Sequence, residues 1–164
     1  EVKEIFDGII IVGGSISSGD SILAIQALGA DLAYMGTRFI ATKESDASDE
    51  YKEMIINASA KEIIKSNKIT GVNGNWLEQS LNNAGIPTNE GGAKSALSNL
   101  KRMAAPIIKQ KLKVDFDISK VTAKRWRDIF SAGQGVGSIS NIPSVKDLVL
   151  ELEKQHIKSK NSIL

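Results

Sequence analysis

The chain opens with an unbroken apolar run, Gly8-Ile9-Ile10-Ile11-Val12, that stops at Gly13-Gly14. A short β-branched run, apolar at every position, predicts a strand buried on both faces, as in parallel sheets. Small polar residues follow from Ser15 to Asp20, a loop with helix N-cap candidates at Ser18 and Asp20. Residues 21–28 are rich in Ile, Leu and Ala and predict a short helix, which Gly29 ends. Leu32-Ala33-Tyr34-Met35 predicts a second strand, closed by Gly36-Thr37. Strand, loop, helix, turn and strand make a βαβ unit with parallel strands.

Beyond residue 42 the pattern turns helical. Residues 44–53 are acidic and polar, and 51–64 carry Met54, Ile55, Ala58, Ile63 and Ile64 at helical spacing. Gly71-Val72-Asn73-Gly74-Asn75 predicts a turn, and 76–84 a short helix stopped by Gly85 and Pro87. Residues 93–113 have helical propensity, with Pro106 as a break. Residues 122–132 predict a helix containing Trp126 and Ile129, and Gly133-Gln134-Gly135-Val136-Gly137 a sharp loop. Pro143-Ser144 opens a last helix through Glu153, and a basic tail over 154–164 is expected to fray. No further strand is predicted. The division is residues 1–42, two βα units; 43–132, a helical subdomain; 133–153, a glycine-rich loop and closing helix; and 154–164, the tail.

Composition narrows the function classes. With 164 residues, 41% hydrophobic and 24% charged, the chain is long enough and ordinary enough for one domain with a core. Its 21 basic and 19 acidic residues leave a net charge of +2, too even to favour nucleic acid or an anionic membrane. Cysteine is absent, which removes disulfides, thiolate metal sites and a Cys nucleophile. No apolar run approaches the roughly 18 residues of a membrane span, and no signal peptide is visible. A cytoplasmic protein is therefore expected, and the sequon Asn57-Ala58-Ser59 is read as chance. Glu1 to Phe6 reads as the end of a helix running into a strand. Two parallel strands cannot satisfy their own edges, so the rest of the sheet is expected upstream.

The strongest candidate chemistry lies in the two glycine turns, Gly13-Gly14-Ser15 and Gly36-Thr37, each directly after a strand and about one βα unit apart. In β/α barrels, loops at the strand C-termini build the active face, and those after the last two strands commonly bind phosphate. Glycine lets backbone N–H groups approach phosphate oxygens without an intervening Cβ. Ser15 and Thr37 hydroxyls add donors, and a helix N-terminus near Asp20 adds a favourable dipole if it points there. The alternative is that these glycines only make tight turns.

The blocks Gly13-Gly14-Ser15-Ile16-Ser17-Ser18-Gly19, Ala27-Leu28-Gly29-Ala30-Asp31-Leu32-Ala33-Tyr34-Met35-Gly36-Thr37-Arg38-Phe39-Ile40-Ala41-Thr42 and Trp126-Arg127-Asp128-Ile129-Phe130-Ser131-Ala132-Gly133-Gln134-Gly135-Val136-Gly137 stand in order along the chain. Together with Thr70-Gly71-Val72, Asn75-Trp76-Leu77 and Ile142-Pro143-Ser144-Val145 they resemble the C-terminal part of nitronate monooxygenases. The resemblance implies an α/β fold: the last two parallel strands of a TIM (β/α)8 barrel followed by a mostly α-helical subdomain. It implies non-covalent FMN, with Gly13, Gly14 and Ser15 in one phosphate loop and Tyr34, Met35, Gly36 and Thr37 in the next. It implies an alkyl nitronate and O2 as substrates, no nucleic acid or membrane partner, and room for a homo-oligomer. It places Gln134 near the substrate. The family's proposed catalytic base, a His in an earlier barrel segment, has no counterpart here, so the chain alone is expected to be inactive. Flavin-dependent enoyl reductases share the Gly-Gly and Gly-Thr-Arg-Phe blocks and give the alternative activity. A non-catalytic phosphate- or FMN-binding module is the alternative of another class.

The remaining candidates favour structural readings. Gly133-Gln134-Gly135-Val136-Gly137 lacks the preceding strand and the spacing of a dinucleotide fingerprint. Arg38 is read as a rim residue paired with an acid such as Glu44, and Trp76 and Trp126 as helix-packing anchors. His156, the single histidine, is read as solvent-exposed. The lysines at 101–113 lack interleaved aromatics, and Asp115 and Asp117 lack a third ligand, so no metal is assigned.

Overall fold

The computed structural model of the chain describes residues 1–67, 69–86, 88 and 127–163. After a short helix α1 (Val2–Ile5), strand β1 (Ile11–Gly13) leads through a loop to helix α2 (Gly19–Ala27) and strand β2 (Leu32–Tyr34). β1 and β2 pair in parallel, with Ile11 opposite Leu32, Val12 opposite Ala33 and Gly13 opposite Tyr34. The expected βαβ unit is present. Asp31 extends the pairing at its entrance: its amide donates to the Ile10 carbonyl (2.9 Å), and its Oδ2 accepts from the Ile10 amide (2.8 Å). Ser18 caps α2 in a reciprocal box with Ser21, and Gly29, at φ +99°, ends it as a left-handed C′ residue. One expectation fails here. The apolar strand is not buried on both faces: Ile9 is 69% exposed, Ile11 58% and Leu32 52%. Among the described residues only one strand pairs with it, and these side chains are left uncovered.

Short helix α3 (Thr37–Ile40) turns the chain into the second unit. Helix α4 (Asp49–Asn57) starts at Ser48, whose Oγ accepts from the Tyr51 amide (3.3 Å), and buries Met54 and Ile55. It stops earlier than the spacing predicts. Ala58 is extended, and Ser59 and Glu62 open a new 3-10 turn at Ala60–Glu62. Ile63 and Ile64 then belong to strand β3 (Ile63–Ser66), which pairs antiparallel with β4 (Gly74–Leu77). The helix expected over 76–84 is therefore strand at Trp76 and Leu77 and helix only in α5 (Glu78–Asn83). Residues 129–132, expected to continue a helix, instead run beside β4: Leu77 N–H donates to the Phe130 carbonyl (2.9 Å) and Ala132 N–H to the Asn75 carbonyl (3.2 Å). The expectations for 93–113, Trp126, Asp115 and Asp117 fall outside the described residues.

The core lies in this second unit. Ala41, Met54, Ile55, Ile63, Leu77, Ala132, Val136 and Ile139 form one cluster, and Ile69, Trp76, Leu81 and Ile129 a second. Trp76 anchors a strand rather than a helix, with its Nε1–H on the Ser66 carbonyl (3.0 Å). The chain closes with helix α6 (Val145–Ile163), which buries Leu148 and Leu152 and continues through the stretch expected to fray. Packing on α2 explains its persistence. Gln155 Oε1 accepts from the Gly19 amide (2.8 Å), and Ser159 Oγ bonds Asp20 Oδ1. His156, expected to face solvent, is half-buried, with Nε2 2.7 Å from Gln26 Oε1.

Candidate functional site

Parallel pairing in register brings the ends of β1 and β2 side by side, and the two glycine turns open there. A cavity of about 200 Å³ lies between them, lined by Gly14, Ser15, Ile16, Ser17, Tyr34, Gly36, Thr37, Gly133 and Gly135. Of the residues the sequence singles out, Gly14, Ser15, Tyr34, Gly36 and Thr37 line it. Gly13 and Met35 stand one residue back in the chain, and a Cβ on Gly13 would touch Tyr34 at 3.4 Å. Gln134 is exposed, and its neighbours Gly133 and Gly135 form the wall instead.

The backbone at the first turn is unusual. Gly14 has φ +106° and Ser15 φ +55°, the only non-glycine residue with positive φ among those described. A Cβ at Gly14 or Gly36 would meet no heavy atom within 4 Å, so both backbones border open space that a ligand atom can enter. Glycine at both positions leaves the main chain accessible from the cavity. Among the described residues no carboxylate lines the cavity.

The third wall is not evident from the sequence pattern. Gly133 N–H donates to Thr37 Oγ1 (2.9 Å). Ser17 Oγ, buried, donates to the Gly135 carbonyl (3.0 Å) and lies 2.7 Å from Ser138 Oγ. A Cβ at Gly135 would stand 2.7 Å from Ser17 Oγ and 3.2 Å from Ser15 Cα. The 3-10 turn Gln134–Ser138 is thus stitched to both glycine turns. The hint in the sequence is the alternation of glycines at 133, 135 and 137, here a close-approach surface rather than a bare loop.

Two neighbouring features take a different form from the one expected. The N-terminus of α2 is absent from the cavity lining; Gln155 occupies its Gly19 amide and Ser18 its Ser21 amide (3.2 Å). Arg38 is structural, as expected, but not through Glu44. It is buried and donates to the carbonyls of Ala41 (3.3 Å) and Asn141 (3.2 Å) and to Asn141 Oδ1 (2.7 Å). Burial pulls its guanidinium below its ordinary pKa, and the charge of Glu151 opposes that shift. Glu44 instead accepts the Val145 amide at the start of α6, both oxygens at 2.9 Å. Tyr51 stacks on Phe130 (4.3 Å between centroids) and bonds the Ser131 carbonyl. Burial raises its pKa, against the opposing effect of that hydrogen bond.

Similarity to known proteins follows the same lines. A probable nitronate monooxygenase of Staphylococcus saprophyticus is 36% identical over 62 residues, covering 38% of this chain and 18% of its own length. A putative monooxygenase of Mycobacterium tuberculosis is 23% identical over 163 residues, 95% of this chain and 42% of its own. Among solved structures, FabK from Thermotoga maritima superposes with a TM-score of 0.67 at 23% identity, over 99% of this chain and 48% of that one. A nitroalkane oxidase from Streptomyces ansochromogenes gives 0.66 at 23%, over 99% and 43%. The chain spans less than half the length of each of these relatives. Among the described residues, no helix is long and apolar enough to cross a membrane. The sequence profile of nitronate monooxygenases matches residues 1–155, and the chain belongs to the nitronate monooxygenase family.

Proposed function

We propose that this chain is the phosphate-gripping C-terminal part of a TIM-barrel, FMN-dependent nitronate monooxygenase that oxidises alkyl nitronates with O2. The observation that carries the reading is the cavity at the ends of two parallel strands, where Gly14 and Gly36 leave main chain open to a ligand. The fit to a phosphate monoester is chemical as well as steric. Backbone amides of the two turns and the hydroxyls of Ser15 and Thr37 supply donors, and among the described residues no carboxylate lines the cavity to repel the phosphate. Gly13, Tyr34 and Met35 shape the turns from behind or beside. When bound, FMN supplies the acceptance of electrons from a carbanion-like substrate and the reaction with dioxygen.

The chain's own task in this reading is to anchor the cofactor's phosphate and to wall the site with residues 133–138. Gln134, exposed beside that wall, is assigned the substrate mouth. No general base is assigned: the single histidine, His156, is engaged with Gln26 on the α2–α6 face. Turnover is therefore assigned to the longer protein, with a base from another segment.

The likeness to FabK, equal in TM-score to that of the nitroalkane oxidase within 0.01, supports a second reading as a flavin-dependent enoyl reductase. Oxygen uptake separates the two. The longer protein, purified with its flavin, should consume O2 on addition of a small alkyl nitronate without any nicotinamide. A flavin spectrum with no such uptake, but with nicotinamide oxidation on an enoyl thioester, supports the reductase. Absence of flavin sinks both and leaves a module without cofactor.

A further inference from the structure

We infer that Thr37 is a positioning residue that couples occupation of the phosphate cavity to the docking of the second unit, through its hydrogen bond from Gly133. The inference rests on the cavity being an anion site, as in the proposed function, and goes on to say what binding there does to the rest of the chain.

A threonine hydroxyl accepts up to two hydrogen bonds and donates one. Gly133 N–H already occupies one acceptor position of Thr37 Oγ1 at 2.9 Å. Among the described residues no acceptor takes the Thr37 proton, and Thr37 lines the cavity. An anion seated there is the natural acceptor. Donation to an anion makes the hydroxyl oxygen more negative and strengthens the bond it accepts from Gly133.

Gly133 belongs to a connected run rather than a loose loop. Phe130 and Ala132 hydrogen-bond to β4 through Leu77 and Asn75. Val136, fully buried, sits in the core cluster with Met54, Ile55 and Leu77. Ser17, two residues past the first glycine turn, holds Gly135. Pulling Gly133 toward Thr37 therefore pulls on the strand and core of the second unit. Linkage is reciprocal: an anion that tightens this docking binds more strongly because of it.

Two measurements test the coupling. Hydrogen exchange of 133–138 in the flavin-free full protein should slow on addition of inorganic phosphate, and should not respond to phosphate in Thr37→Val. Dissociation constants for FMN and riboflavin give the second readout. Thr37→Val should weaken FMN about tenfold or more, as loss of a charge-assisted hydrogen bond implies, and leave riboflavin within about threefold. Thr37→Ser, which keeps the hydroxyl, should restore both exchange protection and FMN affinity. Unchanged exchange of 133–138 on phosphate addition overturns the inference, as does equal weakening of FMN and riboflavin. If the full protein takes no flavin, the proposed function falls. Phosphate protection that is lost in Thr37→Val would then still uphold the coupling, and its absence would remove both.

Discussion

At Ser15 the chain places a side chain where glycine is the natural occupant. Its φ of +55° puts Cβ against the following carbonyl, at a cost of roughly 1–2 kcal/mol. Replacing Ser15 with glycine removes that cost and adds back part of it as unfolded-state entropy. The net expectation for Ser15→Gly is a gain of about 0.5–1 kcal/mol in urea denaturation. If the hydroxyl serves the cofactor phosphate, the same variant should bind FMN about tenfold more weakly. A variant that is more stable and binds normally would show that the strain serves the turn alone. The strained position lines the cavity, where such strain would serve the proposed phosphate site. The turn itself was legible in the sequence, because paired glycines directly after an apolar run mark a strand end. The strain at Ser15 was not, since serine is common in any polar loop and only the folded backbone reveals which residue takes positive φ.

Elements differ in how plainly their sequences declare them, and contacts explain the difference. β1, α2 and β2 were legible because an apolar run, a serine cap and a terminating glycine agree with one another. The β3–β4 hairpin was not. Met54, Ile55 and Ala58 continue to Ile63 and Ile64 at helical spacing by coincidence, and four-residue strands carry too few positions to contradict it. The signals against a helix were the Ser59/Glu62 capping box and the glycines at 71 and 74 between two apolar runs. The last turns of α6 are polar, so the sequence pattern alone ends the helix at Glu153. Its register is set by α2, through a contact no periodicity records. Gly19 lies so close to α6 that an added Cβ would overlap the Leu152 carbonyl and the His156 amide, and would stand 2.6 Å from Gln155 Cβ. These are mostly backbone atoms and cannot rotate away. Gly19→Ala should therefore separate the two helices and cost roughly 3 kcal/mol. It should also free His156 from Gln26, visible as a shift of the His156 ring resonances toward those of a solvated imidazole. A stability change under about 0.5 kcal/mol would mean that the helices slide apart without penalty.

At the scale of the whole molecule, the cores and the surfaces are unevenly divided. The second unit buries Ile55, Leu77 and Val136 completely, whereas the first leaves Ile9, Ile11, Leu32 and Tyr34 open, Tyr34 at 70%. A trough of about 430 Å³ between α1, β1 and the end of α2 adds Val2, Ile10, Ile25 and Leu28 to that apolar surface. Each exposed aliphatic side chain of this kind forgoes about 1.5–3 kcal/mol that burial would supply. Among the described residues the two parallel strands also keep two unpaired edges, which template pairing with another chain. Both terms favour association when this chain is expressed by itself. Sedimentation velocity should show dimers or larger species at micromolar concentration, and a hydrophobic dye should bind the unassociated fraction strongly. On the proposed reading as part of a barrel, a longer polypeptide that adds strands on either side should remove both signals, because those strands would satisfy the edges and cover Ile9 and Ile11. Lysine at Ile9 and Ile11 should reduce association without touching the glycine turns, since both side chains are exposed and neither lines the cavity. A monodisperse monomer of the unaltered chain that unfolds cooperatively would show that the open face is tolerated in water, and the demand for covering strands would lose its physical basis.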